Sequence, residues 1–121
     1  MTTIVYLHGF RSTPNAMKAT VLRDAWAGKV RFLAPDLNVS PSEVQARLLE
    51  TVKGIDPASL VVIGASLGGF YAHWLAEKVG CRAILLNPVT QPWSLIQHYF
   101  GEQTIYGSDR TITVTPKFAV E

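Results

Sequence analysis

A serine hydroxyl becomes a useful nucleophile when the backbone lifts it toward a substrate and nearby donors take up the charge that develops. Residues Gly64-Ala65-Ser66-Leu67-Gly68 have the types and spacing for the lifting. They directly follow the apolar run Leu60-Val61-Val62-Ile63 and directly precede a helical pattern. Between a strand and a helix, G-x-S-x-G is a sharp, strained corner that exposes the serine above a sheet. Serine there takes a sparsely allowed backbone conformation, and glycines two before and two after it let strand and helix approach. Three fixed positions in five make a weak pattern by themselves. The strand–turn–helix setting gives this one its specificity.

The charge-accepting donors are expected from two loops. The chain opens with Thr2-Thr3-Ile4-Val5-Tyr6-Leu7, a run rich in β-branched residues that reads as a strand, and continues into His8-Gly9-Phe10-Arg11-Ser12. A His-Gly loop at the end of a neighbouring strand supplies one backbone N–H of an oxyanion hole, and the residue after the nucleophile supplies the other. Those donors would be Phe10 N–H and Leu67 N–H. Gly9 lets the loop pass close to a substrate carbonyl, where a Cβ would intrude. His8 is assigned a structural role, bonding neighbouring backbone to fix the loop. Arg11 could neutralise an acidic substrate group, but such an arginine is more often a solvated or structural charge.

Taken with Leu86-Asn87-Pro88 and Pro92, these stretches resemble the small bacterial esterases of the YqiA type, compact members of the α/β-hydrolase superfamily that act on short-chain esters. The likeness runs in order from Ile4 to about Val120. It implies a serine hydrolase with Ser66 as nucleophile, a small-molecule ester as substrate, no cofactor and no metal. It also implies a sheet ordered second strand, first, third, fourth. The switch point then lies between the first and third strands, where ligands bind at the carboxyl ends.

The rest of a catalytic triad is harder to find. In this fold the order is Ser, then Asp or Glu, then His. After Ser66 the chain offers His73, His98 and Asp109, and no histidine follows Asp109. His73 lies about 10 Å along a helix from Ser66 at 1.5 Å per residue, too far for a base that must come within about 3 Å. It is expected to pack beside Trp74. His98 falls in a segment, Trp93 to Phe100, expected to form an aromatic-rich helix on the outer side. In the family the acid and histidine lie in a C-terminal part without a counterpart here. The chain therefore reads as one domain, residues 1–121, incomplete at its C-terminus, where Thr115-Pro116 starts a helix that has no stop signal. Weak ester hydrolysis, or none, is expected of it in isolation. The alternative is a catalytically incomplete remnant that binds a ligand or a protein. Nucleotide binding at Gly64 to Gly69 fails, because the G-x-G-x-x-G spacing lacks its second glycine and no Gly-Lys-Ser/Thr occurs.

Composition agrees with an aqueous globular protein. Of 121 residues, 48% are hydrophobic and 17% charged, and the net charge of +2 comes from scattered basic residues. No basic stripe invites nucleic acid, and no run is long enough to span a membrane. The lone Cys81 excludes an internal disulfide and is expected to pack as a small apolar residue. With no signal-peptide pattern at the start, a cytoplasmic location is the default expectation.

Strands and helices should alternate, giving an α/β fold: a doubly wound, mostly parallel sheet with helices on both faces. Thr13 and Pro14 start a helix carrying Met17, Val21, Leu22, Ala25 and Trp26, ended by Gly28. Val30 to Ala34 reads as the second strand. Ser40-Pro41-Ser42-Glu43 reads as a capping box opening a helix with Val44, Leu48 and Val52 on one face and a stop at Gly54. The helix after Ser66 carries Phe70, Trp74 and Val79, with Gly80 as its cap. Ala83 to Asn87 forms the fourth strand, an exposed edge of Ile84, Leu85 and Leu86 through which self-association is expected. Thr111 to Thr115 alternates like a further strand or extended segment.

Overall fold

The computed structural model describes residues 1–9, 12, 17–86, 101–104 and 111–114. Its main sheet comprises β1 (Thr3–Leu7), β2 (Arg31–Leu33), β3 (Leu60–Ala65) and β4 (Arg82–Leu86). All three pairings are parallel, in the order β2-β1-β3-β4. Parallel neighbours need crossovers, and α1 (Met17–Ala25), α2 (Pro41–Val52) and α3 (Leu67–Val79) supply them. The fold is α/β, and the strand order is the one the family resemblance implies.

Alternation along β1 divides the interior between two faces. Val5 and Leu7 join Leu60 and Val62 of β3 against Val44, Leu48 and Val52 of α2 and Tyr71, Ala72 and Leu75 of α3. Ile4 and Tyr6 point the other way, with Ile63 and Ala65, toward Ala19 of α1 and the partly buried Leu22. Helices therefore cover both faces, α2 and α3 on one and α1 on the other. The α2 face foreseen from Val44, Leu48 and Val52 is buried throughout. Along α1 the foreseen residues divide: Leu22 packs inward, whereas Val21 and Trp26 are exposed. The small Ala19 lets that helix lie close to the sheet, and the Arg23 guanidinium sits 5.3 Å above the Phe32 ring of β2.

Helix ends follow local chemistry, with one departure. Gly80 caps α3 in the left-handed conformation, at φ 78° and ψ 36°. Ser40 precedes α2, but its hydroxyl donates to the Glu43 carboxylate (2.9 Å) and makes no bond to the backbone. The expected capping box is thus replaced by a side-chain pair. Asp56, which carried no expectation from the sequence, accepts from Ala58 N–H (3.0 Å) at the short 3-10 turn Pro57–Ser59 leading into β3.

A second, two-stranded antiparallel sheet pairs β5 (Gly101–Thr104) with β6 (Thr111–Val114). β6 matches the expected extended segment. β5 is an addition, since Gly101-Glu102-Gln103-Thr104 carries no apolar alternation. The expected helices beginning at Thr13-Pro14, Pro92 and Thr115-Pro116 start outside the described residues.

Candidate active site

Ser66 occupies the corner between β3 and α3 with φ 57° and ψ −119°. It is the only non-glycine residue with positive φ among the described residues. Such a conformation costs about 1–3 kcal/mol and persists only where the surroundings over-determine it. Here they do. Ser66 N–H donates to Leu86 O of β4 (2.8 Å), and Ser66 O accepts from Gly69 N–H (2.9 Å) in the first turn of α3. Ser66 stands at the N-cap position, where a serine side chain ordinarily accepts from the helix backbone. It makes no such bond. The hydroxyl is instead on an exposed residue beside the helix N-terminus, where Leu67 N–H has no acceptor within its own helix.

The two flanking glycines are required sterically. A Cβ on Gly64 would strike the Gly68 carbonyl and come within 2.8 Å of Ala72 Cβ. A Cβ on Gly68 would strike Leu7 O and come within 2.7 Å of His8 O. Strand β3, helix α3 and the end of β1 are therefore in backbone contact at this corner. The same closeness brings the His8-Gly9 loop to the serine. A Cβ on Gly9 would sit 3.3 Å from Ser66 Cβ and 3.9 Å from its Oγ. The structure thus brings together five of the expected site residues: His8, Gly9, Gly64, Ser66 and Gly68. Leu67 follows directly as the first residue of α3. Phe10, the other expected donor, lies outside the described residues, as does Arg11.

His8 is buried, 3% exposed, and its ring is fully committed. Leu37 N–H donates to Nε2 (2.8 Å), so Nε2 carries no proton. The proton is on Nδ1, which donates to Gly9 O (2.8 Å). The expected backbone-fixing role is the one His8 performs. Around it stands a network that sequence reasoning missed. Asp36 Oδ1 lies 3.7 Å from His8 Nε2, and Asn38 Nδ2 donates to Ser12 O (2.8 Å) and to Asp36 Oδ1 (2.9 Å). Arg47 of α2 donates to Asp36 O. The available signal was Pro35-Asp36-Leu37-Asn38 straight after a strand, a composition typical of Asx turns. Its partner, 26 residues earlier in the chain, had no local signal.

His73 departs from expectation. It does not pack beside Trp74 but faces solvent, with a 63% exposed side chain and Nε2 3.1 Å from Glu77 Oε1 one turn on. Tyr71, Ala72 and Leu75 occupy the buried face of α3, and His73 lies on the opposite one. His98 and Asp109 lie outside the described residues, as do Asn87 and Pro92. Burial pushes the Tyr6 phenol above its ordinary pKa. Burial also raises the Cys81 thiol, with a backbone hydrogen bond pulling the other way. Cys81 packs against the larger core cluster, and its raised pKa disfavours the thiolate, the nucleophilic form. Among the described residues no group of three His, Cys, Asp or Glu gathers to hold a metal ion, and no helix is long and apolar enough to cross a membrane.

The amino-acid sequence places the chain in a family. A family model described as an uncharacterised protein family, UPF0227, matches residues 3–118. The chain belongs to UPF0227. It is similar to a UPF0227 protein of Serratia proteamaculans, 32% identical over 100 residues, and to one of Yersinia enterocolitica, 32% identical over 93. A Shewanella woodyi UPF0227 protein is 29% identical over 93 residues. Each match covers 74% of this chain and 52% of the relative, so the chain spans about half the length of the curated relatives it matches. For this UPF0227 chain the corner at Ser66 is the region whose geometry bears most directly on chemistry.

Proposed function

We propose that this chain carries the nucleophile of a carboxylic-ester hydrolase acting on short-chain esters, as the resemblance to YqiA-type esterases implies. Ser66 Oγ attacks the ester carbonyl, and the resulting oxyanion is held by Leu67 N–H and Phe10 N–H. Collapse expels the alcohol and leaves an acyl group on Ser66, which water then removes. The serine proton passes to a general base, and the alcohol takes up a proton as it leaves. Neither described histidine is suited to act as that base. His8 Nε2 already accepts from Leu37 N–H, and His73 pairs with Glu77 on an exposed helix face.

One observation carries the reading. An exposed serine holds a backbone conformation proper to glycine and leaves its helix uncapped, between glycines that admit no Cβ. Strain of this kind concentrates where geometry serves function. The test is hydrolysis of short-chain p-nitrophenyl esters by the protein expressed from its complete open reading frame, wild type against Ser66→Ala. Loss of about 10³-fold or more in kcat is expected, with a phosphonate probe labelling Ser66 in the wild type. Equal rates for the two proteins would end the reading.

A second reading, a non-catalytic binding domain, draws support from β4. Its Ile84 and Leu85 are 48% and 37% exposed at the edge of the parallel sheet, a surface suited to a second copy of the chain. On that reading Ser66→Ala changes nothing, and no ester is turned over.

A further inference from the structure

The segment between β2 and α2 holds both His8 and Ser12. Leu37 N–H holds His8 Nε2, and His8 Nδ1–H in turn holds Gly9 O. Gly9 O also accepts from Ser12 N–H (3.1 Å). Ser12 O accepts from Asn38 Nδ2 (2.8 Å). The Asn38 side chain is itself immobilised, because Nδ2 and the backbone N–H both donate to Asp36 Oδ1 (2.9 Å each). Asp36 O is anchored to α2 through Arg47. His8, Gly9 and Ser12 are therefore tied to α2 by way of Asp36, Leu37 and Asn38.

We propose that Asn38 is a positioning residue for the hydrolysis, fixing Gly9 beside Ser66 by way of Ser12; the proposal rests on the reading of Ser66 as nucleophile. An oxyanion donor acts over a few tenths of an ångström, and a shift of about 1 Å in a positioned group can cost about 10²-fold in rate. Gly9 lies so near the serine that an added Cβ would sit 3.3 Å from Ser66 Cβ, and Ser12 N–H holds Gly9 O, so relaxation at Ser12 is transmitted to Gly9 and to the side of the site where the second donor is expected. Asn38 reaches neither Ser66 nor substrate in this role. It acts on kcat through the backbone of the loop and leaves ground-state binding alone.

Asn38→Asp and Asn38→Ala test this in the protein from the complete reading frame, with Ser66→Ala run alongside. Asn38→Asp keeps the shape but replaces the amide donor with an acceptor facing Ser12 O. Expected is a fall in kcat of roughly tenfold to hundredfold in both variants, with KM within about twofold. Amide hydrogen exchange in the peptide spanning residues 8–12 should quicken in both. A merely structural asparagine would lower the melting temperature and leave kcat intact. Unchanged kcat in both variants, or unchanged exchange in the loop, overturns the proposal while Ser66→Ala remains inactive. If Ser66→Ala hydrolyses esters as fast as wild type, the nucleophile reading has failed, and this assignment fails with it.

Discussion

The hydrogen bond from Ser66 N–H to Leu86 O joins two regions built in opposite ways. On its donor side, Gly64 and Gly68 are buried, and three backbone segments meet with no room for one further carbon. On its acceptor side, β4 has four of its five residues exposed, among them Ile84 and Leu85. The difference lies in what fixes each region. The corner is held by backbone contact, so its shape depends on the absence of side chains. Among the described residues the edge strand is held by ladder bonds on one side, in register from Val61↔Arg82 to Ala65↔Leu86, and only Leu86 of its side chains packs against the core. Substitutions should therefore be severe at the corner and mild at the edge.

The largest effect is expected at Gly68. Alanine there forces a Cβ into the carbonyls of Leu7 and His8, which are backbone atoms at the end of a central strand and cannot swing aside. Destabilisation of about 3 kcal/mol is expected, at the upper end for overpacking, or loss of soluble protein. A urea unfolding midpoint measures it. Full stability in Gly68→Ala would mean that the corner is looser than its contacts imply and would remove the contrast with β4.

How much of this was legible in the sequence depends on range. The helix face of Val44, Leu48 and Val52, the strand order and the corner itself come from local periodicity, spacing and resemblance, and the structure agrees with each. His73 defeats such reasoning because the apolar residues around it on α3 do not define one face. Tyr71 and Leu75 are buried while Phe70 and Trp74 are only partly so, and a small change of phase moves a neighbour from core to solvent. β5 escapes it because Gly101-Glu102-Gln103-Thr104 carries no apolar alternation to announce its pairing with β6. The clamp on Ser12 is hidden for a different reason. It joins Asn38 to a carbonyl that any residue type could present, so nothing in the local pattern at Ser12 marks it.

A smaller, opposite effect is expected one position from the steric contacts. Ser66→Gly removes the side chain from a left-handed conformation and relieves strain of about 1–3 kcal/mol, against roughly 0.5–1 kcal/mol of added chain entropy in the unfolded state. Net stabilisation of about 1 kcal/mol should follow, read as a higher unfolding midpoint. Ser66→Ala keeps its Cβ and should stay within about 0.5 kcal/mol of wild type. A gain confined to the glycine variant would show that strain at this corner is stored in the backbone and is separable from the hydroxyl. Equal stabilities for all three proteins would indicate that Ser66 sits there at no cost, weakening the case for a functional origin.

The smallest effect is expected at Ile84, where a lysine tests the other half of the contrast. The side chain is already 48% exposed in the native fold, so its replacement forfeits little apolar burial. The register with Ile63 is kept by backbone bonds that lysine leaves unchanged. A change in unfolding free energy within about 0.5 kcal/mol is therefore expected. The same charge on an edge strand opposes strand-to-strand pairing between chains. If two copies meet along β4, sedimentation should show weaker self-association in Ile84→Lys at matched concentration, with the monomer as stable as before. A loss of about 2 kcal/mol or more would mean that Ile84 is covered by contacts the monomer depends on, and β4 would then belong with the corner as a packed element of the fold.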